Sequence, residues 1–395
     1  MAPEDAARGA VADALPLALY VHFPWCVRKC PYCDFNSHML RGELPEDAYV
    51  DALARDLDFE LREAPDPRPL TSIFFGGGTP SLFSDRGIGR VLDVVSQRMP
   101  LAPDVEVTLE ANPGTVDAGH FRGYHAAGVN RLSIGVQSFD DVQLKRLGRI
   151  HDAAQARRAV EVARGAGFDN LNIDLMFALP RQRVADAEGD LRAALACAPQ
   201  HISWYQLTIE PHTAFAARPP KLPDNDAAWD IQQAGQALLA DAGYAQYEVS
   251  AYARAGHRCR HNLNYWHFGD YLAIGAGGHG KRSFGSPRGL RVVRRARCRL
   301  PNAYQQRAGS SAALDEDRVV EVRDLPFEYT MNALRLNMGF EVDEFEVRTG
   351  LPGAALEPAL GEARRLGLVT HEAGHVRPTA FGRAHLNDLM ELFLP

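Results

Sequence analysis

"HFPWCVRKCPYCDFNSH", residues 22–38, sets three cysteines in one short loop, Cys26, Cys30 and Cys33, in the spacing C-x3-C-x2-C. A disulfide takes two thiols and a structural zinc site four ligands, so three is an odd number to offer. Phe35 stands two residues on, where a further cysteine would complete a set. Thiolates also hold iron–sulfur clusters, and a four-iron cluster normally takes four of them. With three, one iron keeps an open position for another ligand. The competing reading is a zinc ion that borrows a histidine, His22 or His38.

The loop follows an apolar run, Leu17 to His22, that reads as a strand. Beyond it the pattern alternates. Strands are expected at Ser72–Phe75, Val105–Leu109, Arg131–Val136, Leu171–Met176 and Ile202–Ile209. Helical spacing runs over Glu46–Glu63, up to Met99, and over Ala153–Ala166, Ala185–Cys197 and Ala227–Ala242. Repeated βα units build a parallel sheet with right-handed crossovers. The unusual residues choose between an open sheet and a barrel. The cysteine loop follows strand one and GGGTP (76–80) follows strand two. Glu110, Gln137 and Asp174 fall near the C-terminal ends of strands three, four and five. Active sites of α/β barrels are built on that rim, so a partial (β/α)6 TIM-type barrel is expected.

Composition narrows the class. The chain has 395 residues, 46% hydrophobic and 24% charged, enough for one large domain and a smaller one. A net charge of −7 offers no electrostatic reason for a nucleic-acid partner. No run approaches a membrane span, which leaves only peripheral membrane contact open. The first residues lack a basic segment followed by an apolar one, so no secretory signal is read. Cys197, Cys259 and Cys298 are scattered. That is no disulfide framework, and a cytoplasmic protein is expected.

The cysteine spacing resembles that of the radical S-adenosylmethionine (SAM) superfamily. The resemblance implies a [4Fe-4S] cluster on Cys26, Cys30 and Cys33, with SAM chelating the fourth iron. It also implies an electron donor, whose electron cleaves SAM to a 5′-deoxyadenosyl radical. Matched residue by residue, it implies SAM contacts at Tyr20, Tyr32, Gly77, Gly78, Thr79, Glu110, Gln137, Arg149 and Asp174. GGGTPSL lacks the phosphate-binding spacings of known glycine loops, but its glycines allow close backbone approach to a ligand. Carboxylates suit hydroxyl or ammonium groups as acceptors. Taken singly, Arg149 reads as a surface residue and Asp174 as a helix cap.

The strings YVHFPWC, CPYCDFNSH, FFGGGTPSL, EANPGT, RLSIGVQSF, LGRIH and LTIEP resemble the oxygen-independent coproporphyrinogen III oxidase family, from about Leu17 to the C-terminus. The porphyrinogen-oxidising branch carries a cysteine where this chain has Phe35. The other branch, HemW, has phenylalanine and consists of heme-binding proteins proposed to hand heme to acceptors. Only Met1 to Trp25 precede the first of the three cysteines, which leaves little room for the longer extension of the oxidase branch. A second string, HNLNYW (261–266), is associated in the HemW branch with heme binding. It implies a heme site at His261, Asn262, Tyr265 and Trp266. Imidazole is a competent axial ligand and the aromatic pair offers flat surface. Read from the residues alone, such a string is core packing around a bonded histidine. Cys259, His257 and His267 compete for the iron.

The expected function is a heme chaperone that passes heme to an acceptor protein while carrying a SAM-ligated cluster. The alternatives are a coproporphyrinogen oxidase, or another radical SAM enzyme such as a methyltransferase. The expected organisation is a flexible N-terminus (1–16), a core barrel (17–250), the HNxxYW segment with a connecting region (251–325) and a C-terminal module (326–395). GAGGHG (275–280) is expected to close a tight turn beside the site. Arg282–Arg299, with seven arginines, and the Gly/Ser/Ala-rich 307–313 read as linker. From Pro326, three helices, a small hairpin and a closing helix suggest a winged-helix-like module. It lacks the clustered Lys/Arg of a DNA reader, so it is expected to cover one barrel end or dock a partner.

Overall fold

The computed structural model describes residues 15–115, 118–286 and 289–395. Residues 1–14, most of the segment expected to be flexible, lie outside the described residues. Leu15 is buried, and its carbonyl accepts a hydrogen bond from Arg68 Nη1 at 3.2 Å.

Six strands run parallel in chain order: β1 (Leu17–Phe23), β2 (Leu70–Gly77), β3 (Leu101–Ala111), β4 (Arg131–Gln137), β5 (Leu171–Phe177) and β6 (His201–Gln206). β1 is buried on both faces, and its sequence LALYVHF is correspondingly a near-continuous apolar run. The helices between strands are Glu46–Glu63, Asp85–Arg98, Ala118–Ala127, Ala153–Gly165 and Val184–Ala196, with Asn225–Asp241 after β6. Their starts follow capping chemistry: Ser84, Asp152 and Asp224 each accept a backbone N–H of the first turn. The fold class read from the sequence is the one observed, and Phe23, Phe75, Leu109, Ile134 and Ile173 share its main core.

The sheet continues past the sixth unit on both sides. β7 (Ala245–Glu248) and β8 (Ala251–Ala253) finish one edge in antiparallel pairing. On the other, β9 (Asp270–Ile274) lies parallel beside β1. β10 (His279–Ser286), β11 (Gly289–Arg297) and β12 (Leu314–Val319) follow in antiparallel order. The twelve-stranded order is β12-β11-β10-β9-β1-β2-β3-β4-β5-β6-β8-β7.

That edge corrects the linker reading. Arg282–Arg299 is mostly a β-hairpin, and Arg307–Ala313 is a helix end and a 3-10 turn that feed β12. Four of the arginines that suggested a solvated connection, Arg282, Arg294, Arg295 and Arg297, are structural cations. Arg297 is 1% exposed and donates Nε to Asp56 Oδ1 at 2.8 Å, with a second, short contact to Glu60. Arg295 pairs with Glu60 and Asp317, Arg294 with Glu328, and Arg282 with Asp66. Arg288 lies outside the described residues.

The C-terminal module has helices Leu325–Ala333, Val342–Thr349 and Ala359–Arg365, then the hairpin β14 (Val369–Glu372) and β15 (His375–Pro378). β13 (Phe340–Glu341) adds a third strand beside β15. Two short helices, Ala380–Ala384 and Leu386–Glu391, close the chain where one was expected. The module core joins Tyr329, Phe345, Leu360, Val376 and Leu389 to Phe268 and Val292 of the sheet side. No helix among the described residues is long and apolar enough to cross a membrane.

Candidate cofactor and ligand site

The three thiols sit at the exit of β1 and are partly buried. Each has a polar companion close by. Thr79 Oγ1 lies 3.4 Å from Cys26 Sγ, Ser37 Oγ 3.7 Å from Cys33 Sγ, and Arg149 Nη1 3.6 Å from Cys30 Sγ. Burial pushes the Cys26 and Cys33 thiols up, and a bound metal removes such protons outright. Three sulfurs in one loop, each beside a hydroxyl or a guanidinium, suit an iron–sulfur cluster whose sulfurs accept hydrogen bonds. The zinc alternative loses its fourth ligand. His22 is engaged at both ring nitrogens, by Tyr20 OH at 2.8 Å and by Asn36 O at 2.9 Å. His38 Nε2 is turned to Asn36 Oδ1 and the Arg299 carbonyl.

The GGGTP loop packs against that exit. Gly78 N donates to Phe23 O at 2.7 Å, and a Cβ at Gly78 would meet Trp25 O at 2.6 Å. Gly77 has φ +114°, and a Cβ there would strike the His22 ring at 2.6 Å. Both places need glycine. Gly77 N donates to Glu110 Oε2 at 3.2 Å. Burial, with the nearby Asp174 charge, pushes Glu110 up to about 8, so it carries a proton at neutral pH. Asp174 is also raised by burial; it accepts from Ser133 Oγ and Asn172 Nδ2. It sits in the middle of β5, three residues before the strand end near which it was expected. Gln137 ends β4 in the left-handed region at φ +71° and accepts from Tyr205 OH at 2.7 Å. A non-glycine residue held there marks local strain of the kind found at binding sites. Arg149 Nη2 donates to Gly135 O at 2.6 Å, and Tyr32 packs on Phe215.

A cavity of about 760 Å³ opens beside this rim, within the usual range for ligand sites. Tyr20, Gly77 and Glu110 line it together with Tyr265, Trp266, Tyr271, His279, Phe35 and Phe74. Three of the nine expected SAM contacts thus share a cavity with two of the four expected heme contacts. The C-terminal module reaches it too: Asn332 is on the wall, and the Arg335 guanidinium lies 4.3 Å from the Trp266 ring. Tyr32, Gly78, Thr79, Gln137, Arg149 and Asp174 surround the rim without forming this wall.

The HNLNYW string is split by its own helix, Arg260–Trp266. Its last turn carries Tyr265 and Trp266 to the cavity. Its first turn buries His261, 5% exposed, in the barrel wall. The His261 ring stacks on Phe74 at 4.1 Å and within 7° of parallel. Its Nδ1 faces Glu106 Oε1 at 3.2 Å, and that carboxylate also accepts Arg260 N at 3.0 Å and His261 N at 3.2 Å. Burial alone would raise Glu106, but the His261 bond and the Arg131 charge hold it down, to about 2. Cys259 Sγ lies 3.2 Å from His261 Nδ1. Glu106, Cys259 and His261 come within 4.8 Å of one another, yet the helix N-terminus and Arg131 already use the carboxylate charge. Asn262 is half-buried and is not on the cavity wall among the described residues. His267 Nδ1 is held by Glu344 at 2.9 Å.

Sequence reasoning missed Glu106, Phe74, Tyr271 and His279. Only His279 left a signal, inside the GAGGHG run read as a tight turn. Gly275 and Gly277 do carry positive φ there, 100° and 79°.

Residues 20–194 match the Radical SAM superfamily and residues 320–385 the HemN C-terminal domain. The chain is 52% identical to the heme chaperone HemW of Escherichia coli over 379 residues, covering 96% of this chain and 98% of that one. It is 49% identical to the heme chaperone HemW of Haemophilus influenzae, with the same coverage. A solved structure of coproporphyrinogen III oxidase (HemN) from Escherichia coli, a radical SAM enzyme, superposes with a TM-score of 0.80 at 23% identity. It covers 99% of this chain and 93% of that one, and so speaks for the fold alone.

Proposed function

This chain belongs to the HemW heme-chaperone family of the radical SAM superfamily, and from that premise we propose that it binds heme in the cavity beside its cysteine loop and hands it to an acceptor protein. Superfamily membership implies a [4Fe-4S] cluster and SAM. Cys26, Cys30 and Cys33 would hold the cluster, which when bound and reduced by an electron donor supplies one-electron chemistry. Tyr20, Tyr32, Gly77, Gly78, Thr79, Glu110, Gln137, Arg149 and Asp174 would hold SAM. Tyr265 and Trp266 would lie against the macrocycle.

The observation that carries this reading is the shared cavity. One space is lined by Gly77 and Glu110 and also by Tyr265 and Trp266. In this reading the 17–250 core holds cluster and SAM, the 251–325 segment supplies the aromatic wall, and the 326–395 module closes the cavity through Asn332 and Arg335. Phe35 is 61% exposed at the cavity, where the oxidase branch places a cysteine.

The test separates chaperone from oxidase. Anaerobic, cluster-loaded protein is charged with hemin, then given coproporphyrinogen III, SAM and reductant. Retention of hemin with no protoporphyrinogen IX is expected. Turnover at enzyme rates, on the order of one per second, would place the chain with the oxidases.

A further inference from the structure

We infer that His279, and not His261, is the side chain that meets the heme iron, an assignment that rests on the function proposed above. A histidine that ligates exchangeable heme must present a ring nitrogen to the space where the macrocycle lies. His261 does not. It is buried behind the wall, flat against Phe74, with Nδ1 on Glu106 and the Cys259 sulfur 3.4 Å from Nε2. Turning it outward would break the Glu106 contact, empty its place in the core and leave Glu106 with less to balance its buried charge.

His279 meets each requirement. It is exposed and lies on the cavity wall with Tyr265, Trp266, Tyr271 and Phe35. Its ring makes no hydrogen bond or ion pair among the described residues, so ligation costs no existing bond. Its backbone is fixed at the start of β10, paired with Ala296 of β11. The glycine run explains how it gets there. At Gly275 a Cβ would lie 2.3 Å from His22 O, and at Gly277 2.2 Å from Asn36 Nδ2, so only a bare backbone passes so close to the cysteine loop. Asn36 Nδ2 then ties the two together, donating to Ala276 O and to Arg299 O, each at 2.9 Å. One strut therefore holds His279 in register with Phe35. A ligand between them has an imidazole at its metal and aromatic surface at its face, the two things an iron porphyrin needs.

The experiment is a hemin titration of the full-length, cluster-loaded protein and of His279→Ala and His261→Ala. The Soret band is followed, together with the rate of hemin loss to a competing apo-globin. Acid-labile sulfide reports the cluster independently. His279→Ala should displace the Soret band and lose hemin at least about tenfold faster, with sulfide content unchanged. Added free imidazole should restore the band. His261→Ala protein that stays folded should show the wild-type band. A band unaltered by His279→Ala would overturn this assignment and leave the proposed function standing. Failure of the wild type to take up hemin would sink the proposed function itself.

Discussion

The His261 imidazole lies flat on the Phe74 ring, 4.1 Å between centroids and 7° from parallel. It therefore behaves as part of the barrel wall. His261→Ala removes the stack, and it removes the Nδ1 partner of Glu106, whose carboxylate is held near 2 against burial. A loss of about 2–4 kcal/mol is expected, from a cavity plus a weakened buried hydrogen bond. Chemical denaturation checks it. Stability within about 0.5 kcal/mol of wild type would mean the ring is not packed as described.

Cluster ligation separates the loop cysteines from Cys197 and Cys298. Replacing Cys26, Cys30 or Cys33 by alanine should each abolish the four-iron cluster, read as iron and sulfide content. Cys197→Ala and Cys298→Ala should retain it. In wild type, SAM should perturb the electron paramagnetic resonance signal, since one iron is open. A full cluster in any of the first three variants would end the three-ligand reading.

Glu110 makes stability depend on pH in a definite direction. Its folded pKa, about 8, lies above the ordinary carboxylate value near 4.3. Between the two, the folded chain keeps a proton that the unfolded chain has released. The contribution is present in full below about pH 4 and is lost as pH rises through about 8. Glu110→Gln removes this titration. Its melting temperature should fall less than that of wild type from pH 6 to about pH 9, by a few degrees. Parallel curves for the two proteins would contradict the assignment.

Arg297 should be among the costliest surface-to-core errors a sequence reader would make. Truncation to alanine leaves Asp56 buried without its cation and Glu60 with Arg295 alone, at about 3–5 kcal/mol. Arg318, half-exposed in its pair with Glu316, should cost less than about 1 kcal/mol. Equal effects from Arg297→Ala and Arg318→Ala would restore the linker view.

These contrasts mark what the sequence discloses. The six parallel strands are legible because each contains a short apolar run, and the first five also carry unusual residues in or just after it. The helix expected from Ala153 starts there, on a cap that Asp152 supplies locally. The Arg282–Arg299 hairpin is not, because what makes Arg297 a core residue is Asp56 and Glu60, 241 and 237 positions away. The same limit applies to HNLNYW. The string displays a histidine and two aromatics together, and only Phe74 and Glu106 on distant strands decide that His261 turns inward while Tyr265 and Trp266 face the cavity.

Phe35 offers a clean separation of binding from folding. An aromatic that is 61% exposed at the cavity mouth contributes little to the core. Phe35→Ala should leave the melting temperature within about 2 °C while weakening hemin by about 1–2 kcal/mol, roughly tenfold in Kd. An unchanged Kd would remove Phe35 from the heme wall.

The central claim, that this cavity is a heme site, is met most directly by an anaerobic hemin titration of the cluster-loaded wild-type chain beside Trp266→Leu. Saturation of the Soret band at about one heme per chain is predicted, with a clearly weaker isotherm for Trp266→Leu and equal cluster content in both. Uptake without saturation, or identical isotherms for the two proteins, would contradict it.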